Sequence, residues 1–256
     1  MPYQLDSVRL EIDGRQILSP LTLDLPRGCI VGLIGQNGSG KSSLLRLLAR
    51  QTPPSAGEVR FGGKPVASFA AREFARQVAY LAQTPPPVQG LLVREFVAFG
   101  RYPWHGALGR FGAEDAREVA EAMRLTGTQP LSDRLIETLS GGERQRVWLA
   151  MLIAQKADCL LLDEPISALD IAHQIEMMQL IRDLGRQRSV AAVVVLHDVN
   201  MAARYCDHII ALRDGKLLMN GPPAALMHAE QLEAIYGIAM GVMPHPSGGS
   251  LMSYVH

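Results

Sequence analysis

Residues 35–42 read G-Q-N-G-S-G-K-S, a glycine-rich stretch that ends in lysine and serine. Residues 29–34, C-I-V-G-L-I, form the kind of apolar run that is typical of a buried parallel strand. Residues 42–50 then follow the pattern of an amphipathic helix. A phosphate-binding loop of the form G-x-x-x-x-G-K-[ST] requires this order of strand, glycine loop and helix. The sequence therefore predicts a phosphate-binding loop at residues 35–42.

The residue types of this loop suit the phosphates of a nucleotide. Glycines let the backbone turn so that its amides point inward, and the positive end of the following helix adds to the attraction for an anion. We expect Lys41 to contact the β- and γ-phosphates and Ser42 to bind Mg²⁺. Without nucleotide, Lys41 is expected to be a solvated charge that supports no core. The predicted binding residues are Gly35, Gln36, Asn37, Gly38, Ser39, Gly40, Lys41, Ser42 and Ser43.

Two carboxylates follow a second buried-strand pattern, C-L-L-L-D at residues 159–163. Open α/β sheets place their ligands at the carboxyl ends of their strands, where Asp163 and Glu164 are expected to emerge. Asp163 suits the Mg²⁺ shell, directly or through water. Glu164 suits a general base that orients and polarises an attacking water. The alternative is a strand that ends in an ordinary acidic turn.

Residues 139–146 read L-S-G-G-E-R-Q-R and precede a predicted helix at residues 147–154. Ser140 and Glu143 have the spacing of a capping box, which predicts a helix start here. The full string also resembles the signature motif of ATP-binding cassette (ABC) ATPases. That resemblance implies that Ser140, Gly141 and Gly142 face the γ-phosphate held by the phosphate loop of a second subunit.

Three further motifs of this family occur in the expected order. Gln83, after the strand pattern of residues 78–82, resembles the Q-loop glutamine that touches Mg²⁺ and the attacking water. Asp170 ends S-A-L-D at residues 167–170, which resembles the D-loop. His197 follows the apolar residues 190–196 and resembles the switch histidine that contacts the γ-phosphate. The alternatives are an exposed loop glutamine, a helix cap, and a loop histidine with Asp198 capping the next helix.

One position departs from the family pattern. ABC cassettes usually stack the adenine on an aromatic residue shortly before the segment that here reads D-G-R-Q-I-L, and this chain has Ile12 there. An aliphatic side chain can cover a base, but it lacks an aromatic stacking contribution of roughly 0.5–1.5 kcal/mol. The departure concerns adenine binding and leaves the predicted phosphate chemistry unchanged.

The resemblance covers essentially the whole chain and implies an α/β fold with a RecA-like P-loop NTPase core. It also implies an antiparallel β subdomain, starting at residues 3–25, and an inserted α-helical subdomain. We expect a single ABC ATPase domain over residues 1–256, with core 1–84 and 159–243 and helical subdomain 85–158. Helices are predicted at 93–100, 113–126 and 143–155. The tail, residues 244–256, is rich in Gly, Pro and Ser and is expected to pack loosely.

Composition narrows the classes of function. The 25 basic and 25 acidic residues balance, and aromatic residues make up only 5%, which argues against a nucleic-acid surface. No apolar run reaches 18 residues, so a membrane role is expected to come through a partner. Cys29, Cys159 and Cys206 are odd in number and are predicted to be buried core residues in a reducing compartment.

Two classes of ABC protein remain: the ATPase of a membrane transporter, and a soluble ATPase of DNA maintenance or translation. The second class usually carries two fused cassettes or long helical inserts, plus a basic surface, and this chain has none of these. Residues 93–106 resemble cassettes that serve importers of iron siderophores, haem and vitamin B12. Residues 102–112, 168–174 and 202–207 resemble most the ATPases of ferric hydroxamate uptake. Other ferric siderophores, haem and cobalamin stay open as cargo.

The resemblance also implies cofactors, partners and a location. ATP and Mg²⁺ are the expected cofactors. The expected partners are a second copy across two ATP sites, a polytopic membrane permease and, indirectly, a periplasmic or lipid-anchored siderophore-binding protein, with no nucleic acid. The protein would lie at the cytoplasmic face of the inner membrane, bound through the permease. We expect docking at residues 101–111 through Tyr102 and Trp104, the alternative being an aromatic turn that packs on the helical insert.

Overall fold

The computed structural model describes residues 3–106, 109–167, 169–188, 190–246, 248 and 251–255. The chain divides into two compact units, one of residues 1–68 and 191–256 and the other of residues 69–190. The second unit also includes two strands that the sequence analysis assigned to the core. This division into units does not test the subdomain boundaries predicted at 84/85, 158/159 and 243/244, which stay a prediction.

The first unit contains most of the strands. Its elements before the second unit are β1 (Tyr3–Ile12), β2 (Arg15–Asp24), β3 (Ile30–Ile34), α1 (Lys41–Leu48), β4 (Ala56–Phe61) and β5 (Lys64–Pro65). The strands β2, β1, β4 and β5 form an antiparallel sheet in that order. Asp13 and Gly14 join β1 to β2 with φ of 50° and 74°, as a tight hairpin turn requires. The predicted antiparallel start of the chain is confirmed.

The second unit is mainly helical and contains one pair of strands. Its elements are α2 (Ala71–Gln77), β6 (Val78–Leu81), α3 (Val93–Ala98), α4 (Tyr102–His105), α5 (Ala113–Leu125), α6 (Gly141–Ala154), β7 (Cys159–Leu162) and α7 (Ile171–Arg188). Strands β6 and β7 run parallel, and α6 packs against α3 and α5. The three helices predicted from the sequence are confirmed with small shifts at their ends. Among the described residues, no helix is both long and apolar enough to cross a bilayer.

The chain then returns to the first unit and completes its parallel strands. These elements are β8 (Ala191–Val195), α8 (Val199–Tyr205), β9 (His208–Arg213), β10 (Lys216–Gly221), α9 (Pro223–Leu226), α10 (Ala229–Tyr236), β11 (Met240–Pro244) and β12 (Leu251–Val255). Strand β3 lies between β8 and β9 and is parallel to both, while β10 runs antiparallel to β9. All residues of β3 and β8 are buried, as expected for parallel strands covered on both faces.

The expectation of a loosely packed tail is wrong for its described end, residues 251–255. Strands β11 and β12 form an antiparallel hairpin, with Met240 opposite Val255 and Pro244 opposite Leu251. Ser253 in the middle of β12 is buried. The Gly, Pro and Ser residues that suggested looseness are concentrated at 244–250, whereas residues 251–255 are those that pair with β11.

The cysteines follow the prediction in two cases out of three. Cys159 and Cys206 are buried, and burial raises the pKa of each thiol to about 12. Cys29 is only half-buried, which corrects the prediction. Strand β3 begins one residue later, so Cys29 belongs to the preceding turn, where its Sγ donates to the carbonyl of Arg27 at 3.1 Å. Burial, and then the charge of Asp207, raise its pKa.

Candidate nucleotide site

The glycine loop of residues 35–42 connects β3 to α1 and depends on glycine at two points. Gly35 has a φ of 141°, and a Cβ there would lie 2.0 Å from the carbonyl oxygen of Leu212. Gly40 has a φ of 99°, and a Cβ there would lie 2.5 Å from the side chain of Leu18. Any larger residue would collide with the neighbouring strands, so the first unit packs tightly around both ends of the loop.

Lys41 is held inside the loop. Its side chain is only 5% exposed, and Nζ donates to the carbonyls of Gly35 and Gln36, each at 2.8 Å. This corrects the expectation of a solvated lysine in the loop without nucleotide. A buried ammonium group is costly unless its N–H groups find acceptors, and the loop carbonyls provide them. The charge is thereby already located in the loop that would hold phosphate.

Other groups in the loop fit a phosphate-bearing ligand. Ser39 is 2% exposed, and its Oγ has no hydrogen-bond partner among the described residues. Asn37 and Gly38 are exposed at the rim, and a Cβ on Gly38 would meet nothing within 4 Å. An orphaned polar atom at the centre and an open rim leave both the room and the hydrogen-bonding capacity for phosphate oxygens.

The side chain of Gln36 has a role that the sequence analysis missed. It donates through Nε2 to the carbonyl of Tyr236, at the end of α10. The predicted contribution of Gln36 to phosphate binding concerns its backbone and stays a prediction. No local pattern indicates this contact, because the two residues are 200 positions apart.

His197 lies at the same edge of the sheet as the glycine loop. Strands β3 and β8 pair in parallel, with Leu33 opposite Val195, and the amide of Leu196 donates to the carbonyl of Leu33 at 3.1 Å. The loop and the histidine therefore follow neighbouring strands at their carboxyl ends. His197 is exposed, as a residue that contacts a ligand must be.

Two flanking predictions concern Asp198 and Ile12. The predicted cap at Asp198 is confirmed, since its Oδ1 accepts from the amides of Asn200 and Met201 at 2.7 and 3.1 Å. Ile12 ends β1 and is 45% exposed, which leaves an aliphatic surface in contact with solvent. Its contact with adenine stays a prediction.

The second unit groups the predicted catalytic residues in the same manner. Leu81 of β6 lies opposite Leu162 of β7, and the amide of Asp163 donates to the carbonyl of Leu81 at 2.9 Å. Gln83 and Glu164 therefore follow the carboxyl ends of adjacent strands. Asp163 is only 1% exposed, whereas Gln83 is exposed.

Glu164 has an unusual backbone conformation. Its φ of 52° is in the left-handed region, which costs a residue with a Cβ about 1–2 kcal/mol. The turn that follows stabilises it, because the amide and the hydroxyl of Ser167 both donate to the carbonyl of Glu164, at 3.3 and 3.1 Å. Asp13, Arg50 and Lys156 have nearly the same φ, so this conformation does not separate a catalytic carboxylate from an ordinary acidic turn, and the role of Glu164 as general base stays a prediction.

The predicted capping box at the start of α6 is confirmed. Ser140 Oγ accepts from the amide of Glu143 at 3.2 Å, and Glu143 Oε2 accepts from the amide of Ser140 at 2.8 Å. The bond from the Ser140 amide is the main reason why the pKa of Glu143 lies below its ordinary value. Ser140 and Gly141 are exposed, and a Cβ on Gly141 would meet nothing within 4 Å. The positive end of α6 is therefore open to a ligand.

Asp170 caps α7 and lies in a segment that contacts α6. Its Oδ1 accepts from the amide of His173 at 2.9 Å, the main reason why the pKa of Asp170 is lowered. Leu169 packs near Gly142, where an added Cβ would lie 3.3 Å from its side chain. Ala168, part of the predicted D-loop, is outside the described residues. The cap is established, and a contact of Asp170 with nucleotide stays a prediction.

A buried ion pair organises the helices of this unit and has no sequence signal. Arg101 is 3% exposed, and it donates to Asp115 Oδ1 at 2.8 Å and to the carbonyl of Ala154 at 2.9 Å. Asp115 also accepts from the amide of Gly112, the first reason why its pKa is lowered. The pair joins α5 to the carboxyl end of α6, the helix whose amino end carries Ser140.

The donor set suits magnesium. Ser42 offers a hydroxyl, Gln83 an amide oxygen and Asp163 a carboxylate, all oxygen ligands that Mg²⁺ prefers. Among the described residues, no cluster of three or more His, Cys, Asp and Glu could hold a metal by itself. A shared contact of Ser42, Gln83 and Asp163 with one Mg²⁺ ion stays a prediction, in which water and phosphate oxygens would complete the shell.

Comparison with known proteins identifies the family. A family model described as ABC transporter matches residues 18–167. The ferric enterobactin transport ATP-binding protein FepC of Escherichia coli (strain K12) is 42% identical over 90% of this chain and 85% of its own. The iron(3+)-hydroxamate import ATP-binding protein FhuC of Bacillus subtilis (strain 168) is 39% identical over 91% and 86%.

A solved structure gives the same result for the fold. The dimeric ATP-binding cassette MJ0796, bound to ADP and phosphate after hydrolysis, superposes with a TM-score of 0.76. It is 25% identical to this chain, and the match covers 86% of this chain and 98% of that one. The predicted α/β fold of an ABC ATPase is confirmed.

Proposed function

The chain belongs to the ABC transporter family and is an ATPase that uses ATP and Mg²⁺, and on this premise we propose that it drives a bacterial-type importer of ferric siderophores. The observation that carries the proposal is identity of 39–42% over at least 90% of the chain with ATP-binding proteins of iron–siderophore transport. Identity of this extent includes both the nucleotide motifs and the helical unit between them.

The residues divide the work of hydrolysis. The amides of residues 35–42 and the ammonium group of Lys41 bind and orient the phosphates. Ser42, Gln83 and Asp163 would hold Mg²⁺, which neutralises charge on the phosphates when it is bound. Glu164 accepts a proton from the attacking water, and His197 contacts the γ-phosphate.

The proposed working unit contains two copies of the chain. The open amino end of α6 supports this arrangement, because Ser140 and Gly141 are exposed and the half-buried Gly142 follows them, where a nucleotide bound by a second copy could meet them. The dimeric state of the related cassette MJ0796 supports it as well. Two ATP molecules would favour the closed pair, and their hydrolysis would reopen it, so that transport follows a shift between two populations.

A groove in the second unit supports docking of a permease near Gln83. The groove has a volume of about 620 Å³, and its lining includes Gln83, Pro86, Gly141, Arg144 and Trp148. A permease segment seated there would contact both the loop after β6 and the first turns of α6. A nucleotide-driven movement of this loop or of α6 would then be transmitted to the permease.

Trp104, one of the two proposed docking residues, also makes contacts within the helical unit. Its Nε1 donates to the carbonyl of Gln155 at 2.7 Å, and the guanidinium groups of Arg76 and Arg101 lie 5.2 and 5.1 Å from its ring. Trp104 thus packs on the helical unit, as in the alternative interpretation, and it is also 38% exposed, so its contact with a permease remains part of the proposal. Tyr102 is 50% exposed and is the better candidate for a permease contact. Residues 107 and 108 of the proposed docking segment are outside the described residues.

The proposed location is the cytoplasmic face of the inner membrane, where the protein would be bound through its permease. A periplasmic or lipid-anchored binding protein would deliver the siderophore. Ferric hydroxamate is the proposed cargo, and other ferric siderophores, haem or cobalamin are the alternatives. The ATPase subunit does not touch the cargo in this arrangement, so its side chains do not select among them.

Growth on defined iron sources tests this proposal. Deletion of the gene is expected to abolish growth on a ferric hydroxamate as sole iron source, and the intact gene should restore it. A gene with Tyr102→Ala should restore growth poorly while the purified variant retains ATPase activity within a few-fold of the wild type. Loss of haem or cobalamin uptake alone would refute the cargo and retain the importer. A deletion strain with no transport defect would refute the importer.

A further inference from the structure

The helix that follows the switch histidine is hydrogen-bonded to the last strand of the chain. Asn200 of α8 donates from Nδ2 to the carbonyl of Ser253 at 3.1 Å, and its Oδ1 accepts from the amide of Ser253 at 2.7 Å. The hydroxyl of Ser253 donates to the same oxygen at 3.2 Å. One side-chain amide thus satisfies both backbone groups of Ser253, as the backbone of a neighbouring strand would do.

This contact lies where it can control His197. The amide of Leu196 is bonded to the carbonyl of Leu33 in the sheet, and Asn200 is bonded to β12. The short segment that contains His197 is therefore anchored at both of its ends. Helix α8 has only seven residues, and a helix of that length depends on tertiary contacts for its stability and direction.

The same carboxyl-terminal region also contacts the phosphate loop. Gln36 donates to the carbonyl of Tyr236 at the end of α10, and Arg213 Nη1 donates to the carbonyl of Ala234 at 2.5 Å. Burial, and then the nearby carboxylate of Asp198, raise the pKa of Tyr236 to about 12. The carboxyl-terminal region therefore contacts the phosphate loop through Tyr236 and the amino end of α8 through Ser253.

We propose that Asn200 is a positioning residue for ATP hydrolysis and that β12 is its anchor. The inference rests on the proposed contact of His197 with the γ-phosphate. The bonds to Ser253 fix the first turn of α8 and thereby the direction in which His197 projects. Loss of the anchor should slow the chemical step and leave ATP affinity nearly unchanged, because the phosphate loop supplies most of the binding contacts.

The first test replaces the anchor at either end. Asn200→Leu removes all three hydrogen bonds at similar side-chain size, and deletion of residues 251–256 removes the strand itself. Each is expected to lower the single-turnover rate of ATP hydrolysis by about tenfold or more, since small displacements of a reacting group have effects of this order. ATP affinity measured by calorimetry should stay within about twofold. Ser253→Ala is the matched control, which retains both backbone bonds and should hydrolyse ATP at nearly the wild-type rate.

The second test asks whether Asn200 acts through His197. Asn200→Leu should cause little further loss in a His197→Ala background, because the residue to be positioned is gone. Equal losses in both backgrounds, a wild-type rate for Asn200→Leu and the deletion, or a parallel fall in ATP affinity would each overturn the proposal. Hydrolysis by the purified protein does not depend on cargo, so this outcome is independent of the growth experiments on import.

Discussion

The phosphate loop and the start of α6 are both glycine-rich helix starts, yet they are built differently. In the phosphate loop, the ammonium group of Lys41 is buried and donates to the carbonyls of Gly35 and Gln36. At the start of α6, the Ser140–Glu143 capping box provides hydrogen-bond acceptors for the amides of both residues, and Ser140 and Gly141 remain exposed. The phosphate loop therefore suits the binding of phosphate within one copy. The start of α6 is an exposed contact surface, which suits a nucleotide held by another copy.

The largest expected effect tests whether these surfaces meet across a dimer. Glu164→Gln should reduce hydrolysis by about 10³–10⁴-fold, because the amide has a similar shape and cannot accept a proton. ATP should then hold two copies together, which light scattering would detect as a doubled mass. Glu176→Gln changes an exposed glutamate of α7 and should behave as the wild type. If Glu164→Gln stays monomeric with ATP, under conditions in which the wild type dimerises at least transiently, the result would count against the dimer.

Lys41→Ala tests the phosphate loop. Loss of the charge should weaken ATP binding and reduce turnover together by about 10²–10³-fold, as expected for removal of a donor to a phosphate. Calorimetry measures the binding, and circular dichroism should show an intact fold. Arg46→Ala removes an exposed cation from the same helix and serves as the control. Wild-type turnover in Lys41→Ala would refute the phosphate-loop assignment.

Ser140→Arg tests the contact surface. A bulky cation at the exposed end of α6 should obstruct the approach of a second copy and lower turnover by about a hundredfold, with ATP binding to the monomer retained. Ser140→Ala separates the two roles, since it removes the cap at a cost of about 0.5–2 kcal/mol without adding bulk.

Mixing Ser140→Arg with Lys41→Ala would sharpen this test. If each ATP site is shared between two copies, a mixed dimer contains one doubly defective site and one intact site. Partial recovery of ATPase activity in the mixture is the expected result. A mixture as inactive as the two variants alone would count against two independently working shared sites.

The smallest expected effect concerns pH. The pKa of Glu143 is lowered in the folded chain, so its carboxylate stabilises the start of α6 above the ordinary value of 4.5. That contribution is lost as the pH falls through the lowered pKa. The wild type should melt about 2 °C higher than Glu143→Gln at pH 6, and the difference should shrink towards pH 3. A difference that stays constant with pH would contradict the charged capping box.

The sequence by itself determined the motifs whose partners are close in the chain. The Ser140–Glu143 capping box and the Asp198 cap depend on residues two or three positions apart, so their geometry follows from local spacing. The glycine loop was predictable from its G-x-x-x-x-G-K-S pattern between a strand and a helix. The carboxylates at the end of β7 were likewise predictable, because an apolar run followed by Asp163 and Glu164 indicates the end of a buried strand. The family and its ATPase chemistry also follow from these motifs.

Only the tertiary structure decided the contacts between distant residues. The bonds from Asn200 to Ser253 span 53 positions, and the bond from Gln36 to Tyr236 spans 200. The same holds for Trp104, which donates to Gln155 at a separation of 51 positions. Local sequence patterns indicate which apolar residues of a strand are buried and where a helix begins. Which polar group a side chain meets depends on how the elements pack, because a buried donor binds whatever acceptor the fold brings near it.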